Sequence, residues 1–461
     1  MTDLADLCVA ELARVYASGA ASPVEATRAV LTRIERLEPK LCALWALDAD
    51  AALAAAAQSE RRWRAGAPLG PLDGVAATIK ENIATEGVAV PLGCAASALT
   101  PAAADAPPAA RLREAGAVIL AKTTMPDLGM LSSGLSSFHK LARNPWDAAK
   151  NPGGSSSGAG AAAAAGYGPL HVGTDIGGSI RLPAGWCGVV GLKPSFGRIP
   201  IDPPFIGRVA GPMTRTVDDA AAMMAALSKP DARDAISLPP TDLDWAITPA
   251  RAKGLKLGLW LDPGYGLPLD GETRAAIEAA ARAFAAEGAI VEPVGPFLTR
   301  EMINGLDRFW RARAWSDIGA WPAERRAKVL PYILQWAERG TSYDGMSVYR
   351  GFAQIGAMRD AALRASAPFD YLISPTAPVA AFPAELASPN HDPQAPFEHI
   401  AYTVAFNMSE QPAVSVNAGY TRAGLPIGLQ IAGPRFDDIG VLRVAKLWEA
   451  IRPAQKPWPT T

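Results

Sequence analysis

The chain has 461 residues, of which 49% are hydrophobic and 19% charged, a composition typical of globular proteins. Its 44 Lys and Arg residues nearly balance its 45 Asp and Glu residues, so the formal net charge of −1 does not indicate binding to nucleic acid or to an acidic membrane surface. No uninterrupted apolar run reaches the roughly 18–20 residues of a membrane span, and the acidic first residues, with no long apolar stretch behind them, argue against a signal peptide.

The first part of the chain predicts helices and contains no catalytic pattern. Apolar residues recur at helical spacing between residues 4 and 15, and Ser22 followed by Pro23 is typical of a helix N-terminus. Residues 51–64 predict a third, alanine-rich helix. We therefore predict that residues 1–68 form an N-terminal helical cover on a catalytic domain of residues 69–461.

From residue 74 onward, short apolar runs alternate with helical patterns. The runs predict strands at residues 74–82, 117–121, 169–172, 289–291, 371–373, 413–416 and 427–431, and the helical patterns lie at residues 108–115, 217–227, 272–287, 354–365 and 438–451. Such alternation indicates an α/β fold with a mixed, mostly parallel central sheet that is covered by helices on both faces. In sheets of this kind, ligand sites lie beyond the carboxyl ends of the strands.

The strand predicted at residues 74–82 ends in charge, with Lys80 at the end of an otherwise apolar segment. A lysine in this position commonly marks the exit of a strand into solvent. It can also be a functional group at a strand end, and both interpretations are open.

A segment rich in glycine and serine, NPGGSSSGAG, occupies residues 151–160 and is followed by alanines to Ala165. A flexible linker is the simplest interpretation. The alanines are strong helix formers, however, and favour a loop that leads into a buried helix. A phosphate-binding loop is excluded because no lysine follows the glycines.

The segment at residues 173–183, GTDIGGSIRLP, follows the apolar run at residues 169–172. Its adjacent glycines, Gly177 and Gly178, allow several consecutive N–H groups to converge on one point. Ser179 would present its hydroxyl beside those donors, which is the arrangement of a nucleophile next to an oxyanion hole. A tight turn capped by the serine is the alternative.

Four tryptophans lie close together in a helical region further along the chain, at Trp310, Trp315, Trp321 and Trp336. Aromatic side chains at this density usually belong to a hydrophobic core. They can also form the wall of an apolar substrate cleft, so the sequence leaves both possibilities open.

Comparison with the residue patterns of known hydrolytic sites limits the kinds of catalytic group that this chain can use. No strand–turn–helix nucleophile elbow stands out in the sequence, and none of the four histidines lies in a recognisable triad context (His139, His171, His391 and His399). No pair of carboxylates and no histidines at metal-binding spacing stand out. A lysine can act as a general base once burial lowers its pKa, and a second serine can relay a proton between Lys80 and the attacking hydroxyl.

These residues resemble the amidase signature family of Ser–cisSer–Lys hydrolases. The resemblance is dense between residues 70 and 220 and sparse elsewhere. It rests on DGV and IKEN within residues 73–82, GGSS at 153–156, GTDIGGSIR at 173–181, CGVVGLKPS at 187–195 and GPMTRTV at 211–217, and later on SPTAP at 374–378 and LPIGLQ at 425–430.

The resemblance implies roles for individual residues. Ser179 is implied as the nucleophile, Ser155 as the relay serine that follows a cis peptide bond from Gly154, and Lys80 as the base. The implied oxyanion hole consists of the N–H groups of Ile176, Gly177, Gly178 and Ser179.

The resemblance also implies residues around the triad. Met130 and Ser132 are implied in the substrate pocket, and residues 300–345 form a variable helical insertion near the substrate cleft. Asp175 and Arg181 are expected to brace the turn through an ion pair or hydrogen bonds.

The implied function is hydrolysis of the carboxylic amide bond of a small or aryl substrate, and also of esters or carbamates, through an acyl-enzyme and without a metal or organic cofactor. The first alternative is the glutaminase subunit of a tRNA-dependent amidotransferase, which needs partner subunits. Ile176, where threonine is expected in that subunit, and the tryptophan-rich region favour the first function. A non-catalytic binding protein of the same fold is disfavoured because Lys80, Ser155 and Ser179 are all present.

The remaining expectations concern partners and location. We expect a small-molecule amide as substrate, a homodimer, and no nucleic acid or membrane partner. No CxxC pair occurs among the four cysteines, so we expect reduced thiols and a cytoplasmic protein (Cys8, Cys42, Cys94 and Cys187).

Overall fold

The computed structural model describes residues 3–459, within which one sheet of 11 strands is surrounded by 14 α-helices. Met1, Thr2, Thr460 and Thr461, at the ends of the predicted cover and catalytic domain, lie outside the described residues. The strands are β1 (Leu44–Trp45), β2 (Ala76–Lys80), β3 (Val118–Thr123), β4 (Leu170–Asp175), β5 (Val190–Lys193), β6 (Val209–Thr214), β7 (Lys256–Trp260), β8 (Ile290–Val294), β9 (Tyr371–Pro375), β10 (Ala413–Tyr420) and β11 (Pro426–Ala432). The α-helices are α1 (Val9–Ser18), α2 (Pro23–Leu41), α3 (Ala49–Arg64), α4 (Pro107–Glu114), α5 (Ser157–Ala165), α6 (Arg181–Cys187), α7 (Val217–Leu227), α8 (Gly271–Ala286), α9 (Arg300–Ile318), α10 (Ala323–Arg326), α11 (Pro331–Glu338), α12 (Gly345–Ser366), α13 (Ala401–Met408) and α14 (Asp438–Ile451).

The strand order is β1-β3-β2-β4-β6-β5-β10-β11-β9-β7-β8. The mixed α/β class predicted from the sequence is confirmed, but the expectation of mostly parallel strands is wrong, because six of the ten neighbouring pairs are antiparallel. The reason lies in the connections. A loop without an α-helix joins β5 to β6, and residues 421–425 join β10 to β11 as a hairpin. Such antiparallel links need no crossover helix, so the βα alternation in the sequence did not extend to them.

Helices cover both faces of the sheet, as predicted. Successive residues of a strand point to opposite faces, and on β9 Ile373 packs in one core cluster with α7, α8 and α14, whereas Leu372 packs in another with α9 and α13. A third cluster joins α2, α3 and α5 at the β3 end of the sheet. The helical start of the chain therefore packs on the sheet, and its division from the rest as a separate cover stays a prediction.

The glycine- and serine-rich segment is not a flexible linker. Every residue from 151 to 165 is buried, and α5 begins within the segment at Ser157. The packing at residue 158 leaves no room for a side chain, since a Cβ atom on Gly158 would overlap the Ala43 carbonyl oxygen. The interpretation as a loop leading into a buried helix is confirmed.

No described helix is long and apolar enough to cross a lipid bilayer. The four cysteines are free thiols, two of them buried.

Candidate active site

Lys80 is the last residue of β2, and its side chain is buried in the protein rather than directed into solvent. Its Nζ atom lies 2.8 Å from Ser155 Oγ, 3.0 Å from Ser156 Oγ and 3.0 Å from Thr174 Oγ1. Asn82 also donates to Thr174 Oγ1, at 3.0 Å. The interpretation of Lys80 as a strand exit into solvent is therefore excluded, and the lysine is held among hydroxyl groups.

The surroundings of Lys80 favour its neutral amine. Burial lowers the pKa of Lys80 well below its ordinary value, and the positive charge of Arg208 lowers it further. The carboxylates of Asp175 and Glu81 act in the opposite direction and do not outweigh burial. A neutral amine has a lone pair, so this side chain can accept a proton from a hydroxyl group.

The loop that carries Ser155 is joined to the turn that carries Ser179. The peptide bond between Gly154 and Ser155 is cis, and the Ser156 N–H donates to the Ser179 carbonyl oxygen at 3.1 Å. The Ser179 side chain is half-buried and lines a cavity. Lys80 and Ser155 are thus in hydrogen-bond contact, whereas no hydrogen bond joins the hydroxyls of Ser155 and Ser179 in the described chain.

A buried ion pair braces the turn, as the sequence led us to expect. Asp175 and Arg181 are both fully buried, and Asp175 Oδ1 and Oδ2 each accept a hydrogen bond of 3.0 Å from the guanidinium. Burial raises the pKa of the Asp175 carboxyl, but the Arg181 charge and hydrogen bonds outweigh burial and hold that pKa well below its usual range. The remaining guanidinium donors are satisfied by Thr403 O, Gln430 Oε1 and Asn407 Oδ1.

The Asp175 carboxylate also contacts one donor of the expected oxyanion hole. The Gly178 N–H donates to Asp175 Oδ1 at 2.8 Å, so this donor already has an acceptor, and its role in the oxyanion hole stays a prediction. The N–H groups of Ile176, Gly177 and Ser179 have no hydrogen-bond acceptor within the described chain. These three donors remain free at the turn.

The cavity beside Ser179 has a volume of about 60 Å³ and mostly apolar walls. Both predicted pocket residues, Met130 and Ser132, line it. Of the four clustered tryptophans, Trp310 lines the cavity and the other three do not. Trp336 is buried in the core, where its ring packs on Phe397. The walls also include Ile176, Phe397, Ile400 and the side chain of Arg313.

Sequence reasoning missed several residues of the site. Ser156 and Thr174 lie inside the quoted motifs, each next to a residue that was singled out, and their hydroxyl groups were the available signal. Phe397 and Ile400 precede α13 in a region without a motif, so nothing in the sequence pointed to them. Within residues 3–459, no group of three or more His, Cys, Asp and Glu side chains is arranged to hold a metal ion.

Comparison with known proteins agrees with this geometry. The Amidase family model matches residues 25–442. The chain is 37% identical to a glutamyl-tRNA(Gln) amidotransferase subunit of Myxococcus xanthus, over 97% of each chain, and 34% identical to an acylamidase of Rhodococcus erythropolis, over 97% of this chain and 96% of the relative. The solved structure of a bacterial aryl acylamidase of the amidase signature family matches with a TM-score of 0.89 and 30% identity, over 97% of this chain and 96% of that one. The chain therefore belongs to the amidase signature family and is an enzyme that hydrolyses amide C–N bonds.

Proposed function

We propose that this enzyme cleaves amides of small or aryl substrates through an acyl-enzyme on Ser179, with Ser155 as the proton relay and Lys80 as the general base. The observation that carries the proposal is the 2.8 Å contact between the fully buried Lys80 Nζ and Ser155 Oγ. It supports a base that is shielded from water and linked to the loop that contacts the Ser179 turn.

The hydrogen bonds around Lys80 suggest the direction in which a proton moves. A neutral amine has two N–H donors and one lone pair, yet three hydroxyl oxygens lie within 3.0 Å of Nζ. The Ser156 hydroxyl donates to the Thr174 carbonyl oxygen, so it can only accept from Lys80. The Thr174 hydroxyl also accepts an N–H from Asn82. The Thr174 hydroxyl can accept the second N–H of Lys80 as well, and we propose that it does, which leaves the lone pair of Lys80 for the Ser155 hydroxyl.

Acyl transfer then proceeds in two halves. Ser179 Oγ attacks the carbonyl carbon while its proton passes to Ser155 and the Ser155 proton passes to Lys80, and the N–H groups of Ile176, Gly177 and Ser179 stabilise the oxyanion. The proton returns along the same chain to the amide nitrogen, the C–N bond breaks and the amine leaves. Water next attacks the acyl ester while its proton passes through Ser155 to Lys80. The bond to Ser179 Oγ then breaks, the proton returns through Ser155 to Ser179 Oγ, and the carboxylic acid leaves.

This mechanism requires a hydrogen bond between the hydroxyls of Ser155 and Ser179, which are not bonded to each other among the described residues. Catalytic hydrogen bonds often form or shorten only in the complex with substrate. Because the two serines lie on segments joined by the Ser156 N–H and the Ser179 carbonyl oxygen, rotation of their side chains is the change that we expect on binding.

The cavity supports a small or aryl substrate. Trp310 and Phe397 meet edge to face with their ring centroids 5.0 Å apart, and both line the cavity together with Met130. Such walls favour apolar or aromatic groups. The acylamidase relative and the aryl acylamidase structure support the same substrate class.

A second candidate function is the glutaminase reaction of an amidotransferase subunit. The 37% identity to the Myxococcus xanthus subunit over 97% of both chains favours it. Ile176, where threonine is expected in that subunit, and the mostly apolar cavity walls favour the first function. Ammonia release from glutamine, assayed with the purified chain and with any subunits that copurify, separates the two functions.

Hydrolysis of 4-nitroacetanilide tests the proposed roles. We expect no turnover by Ser179→Ala, and kcat/KM lowered by about 10²–10⁴-fold in Lys80→Met and in Ser155→Ala, the range for lost acid–base catalysis. Lys122→Met is the matched control, because Lys122 is also buried, lies on the neighbouring strand β3, and bonds only to Ile83 O and Thr85 Oγ1. It should stay within about threefold of wild type.

Two results would contradict the assignment. Wild-type rates in Lys80→Met would remove the lysine as the base. Labelling by a serine-directed phosphonate at any residue other than Ser179, located by peptide mass mapping, would remove the nucleophile.

A further inference from the structure

One arginine lines the Ser179 cavity, and a second lies within range of the charge of the first and close enough to act on Lys80. Arg313, on α9, lines the cavity directly. Arg208 immediately precedes β6, which pairs antiparallel with β4 so that Val209 lies opposite Asp175. Continuing this register by one residue brings Arg208 beside Ile176, which also lines the cavity. The two arginines therefore come from different elements, Arg313 in the cavity wall and Arg208 within range of the Arg313 charge.

Neither arginine forms an ion pair. Within residues 3–459, no carboxylate oxygen lies within 4.0 Å of the guanidinium of Arg208 or Arg313. Arg208 makes one long hydrogen bond of 3.4 Å, to the Pro203 carbonyl oxygen, and the Arg313 guanidinium lies 3.9 Å from the centroid of the Phe205 ring. By contrast, the buried Arg181 forms an ion pair with a carboxylate.

The charge of Arg313 acts on Arg208, and the charge of Arg208 acts on Lys80. Burial lowers the pKa of Arg208, and the nearby charge of Arg313 lowers it further. Burial also lowers the pKa of Arg313. The carboxylates of Asp202 and Asp317 act in the opposite direction, on Arg208 and Arg313 respectively, and do not outweigh burial. The Arg208 charge in turn lowers the pKa of Lys80. The two arginine charges are partly removed from water, and neither contacts a carboxylate. They therefore produce a positive potential at the cavity, which a bound anion would neutralise.

We propose that Arg208 and Arg313 bind a carboxylate of the substrate, so that the preferred substrates are amides that carry a carboxylate near the scissile bond. This inference rests on the proposed function and narrows its substrate class. Guanidinium groups match the geometry of a carboxylate, and hydrogen bonds between the two ions are stronger than those between neutral groups. The apolar walls then hold the rest of the substrate, while the arginines fix its charged end.

Two matched pairs of anilides test this proposal. In the first pair, N-(4-nitrophenyl)succinamic acid has its carboxylate on the acyl side, and 4-methyl-N-(4-nitrophenyl)pentanamide is its neutral isostere. In the second pair, 4-acetamidobenzoate has its carboxylate on the amine side, and 4-isopropylacetanilide is its neutral isostere. We expect wild type to prefer the anionic member of at least one pair by about tenfold or more in kcat/KM, mainly through KM. The pair that shows the preference identifies the side of the amide that faces the arginines.

The variants are Arg208→Gln, Arg313→Gln and, for partial rescue, Arg313→Lys. Each glutamine variant should reduce the anionic preference by about 10–100-fold, the range for a hydrogen bond to a charged group, and the lysine variant should retain part of it. Because Arg208 also acts on Lys80, the ratio between the two members of a pair is the proper measure, since a change in Lys80 affects both. Arg308→Gln is the control, because Arg308 lies on α9 but does not line the cavity. It should leave the ratio unchanged.

The outcomes separate this inference from the proposed function. If wild type hydrolyses the neutral anilides through Ser179 but shows no anionic preference in either pair, the arginine proposal is wrong and the hydrolase assignment stands. A preference that persists in both glutamine variants also overturns it. Failure of Ser179→Ala to abolish turnover refutes the proposed function itself.

Discussion

Replacing Asp175 by asparagine tests how the turn of the active site is held. The carboxylate accepts hydrogen bonds from the N–H groups of Gly178 and Ile180, from the Arg181 guanidinium and from Asn407 Nδ2, and it is fully buried. Asparagine has nearly the same shape but only one acceptor oxygen and no charge. The change therefore leaves the buried Arg181 without a counterion and the turn without one of its acceptors.

The expected cost follows from the burial of the pair. Removing one partner of a buried ion pair typically costs about 3–5 kcal/mol, because an uncompensated charge remains in the interior. At about 1.4 kcal/mol per factor of ten, this lowers the folding equilibrium constant by about 10²–10⁴-fold. Since the same carboxylate holds the Gly178 and Ile180 N–H groups on either side of Ser179, we also expect a lower kcat.

Urea unfolding, followed by circular dichroism and extrapolated to water, measures the first effect. Asp218→Asn is the matched control, because Asp218 is paired with Lys446 at the surface and its side chain is 56% exposed. Exposed pairs contribute at most about 1 kcal/mol, so this variant should stay close to wild type. If the Asp175 variant is also within about 1 kcal/mol of wild type, the buried pair does not hold the turn and our reasoning is refuted.

Two further predictions concern a buried lysine and a glycine. Burial lowers the pKa of Lys122 to about 7, which is below the pKa of a lysine in the unfolded chain. Between pH 7 and about 10 the unfolded chain therefore binds more protons than the folded protein. The contribution of Lys122 to the free energy of unfolding thus rises with pH in that window. Compared with Lys122→Met, wild type should therefore gain about 1–2 kcal/mol of unfolding free energy between pH 7.5 and 9.5 in urea titrations, and parallel curves would contradict the shift. Gly178→Ala should lower kcat at least about 10²-fold, because φ is +131° and a Cβ atom would lie 2.5 Å from Thr403 Oγ1. Gly271→Ala, where the added Cβ meets no atom within 4 Å, should keep wild-type kcat, and an unchanged kcat in both variants would show that the turn tolerates a side chain.

The part of the site that depends on motifs was predictable from the sequence. Lys80 was noticed as a lysine at a strand end and Ser179 as a serine in a glycine turn, whereas the role of Ser155 was implied by the resemblance to the amidase signature family. The buried helix α5 was predicted for a similar reason, since alanines favour helix and small side chains favour close packing. These inferences rest on local properties of short segments.

The rest depends on contacts between distant segments. The pairing of β4 with β6 brings Arg208 to the cavity, and no local pattern encodes that register. The Gly178 N–H was expected in the oxyanion hole because glycine permits the turn, but the nearby Asp175 carboxylate already accepts a hydrogen bond from it. Strands β5 and β6 were not predicted at all. The direction of β10 was missed because a short apolar run does not indicate the direction of its neighbour.

The reacting groups and one part of the cavity wall come from separate parts of the chain. Residues between Lys80 and Arg181 supply the amine, both hydroxyls and the ion pair, whereas Trp310, Phe397 and Ile400 come from α9 and the segment before α13. Substrate range can therefore diverge, by natural drift or by directed mutagenesis of these later segments, without disturbing bond-breaking chemistry. New amides could therefore be accepted through changes in α9 and in the segment before α13, with the reacting side chains left as they are.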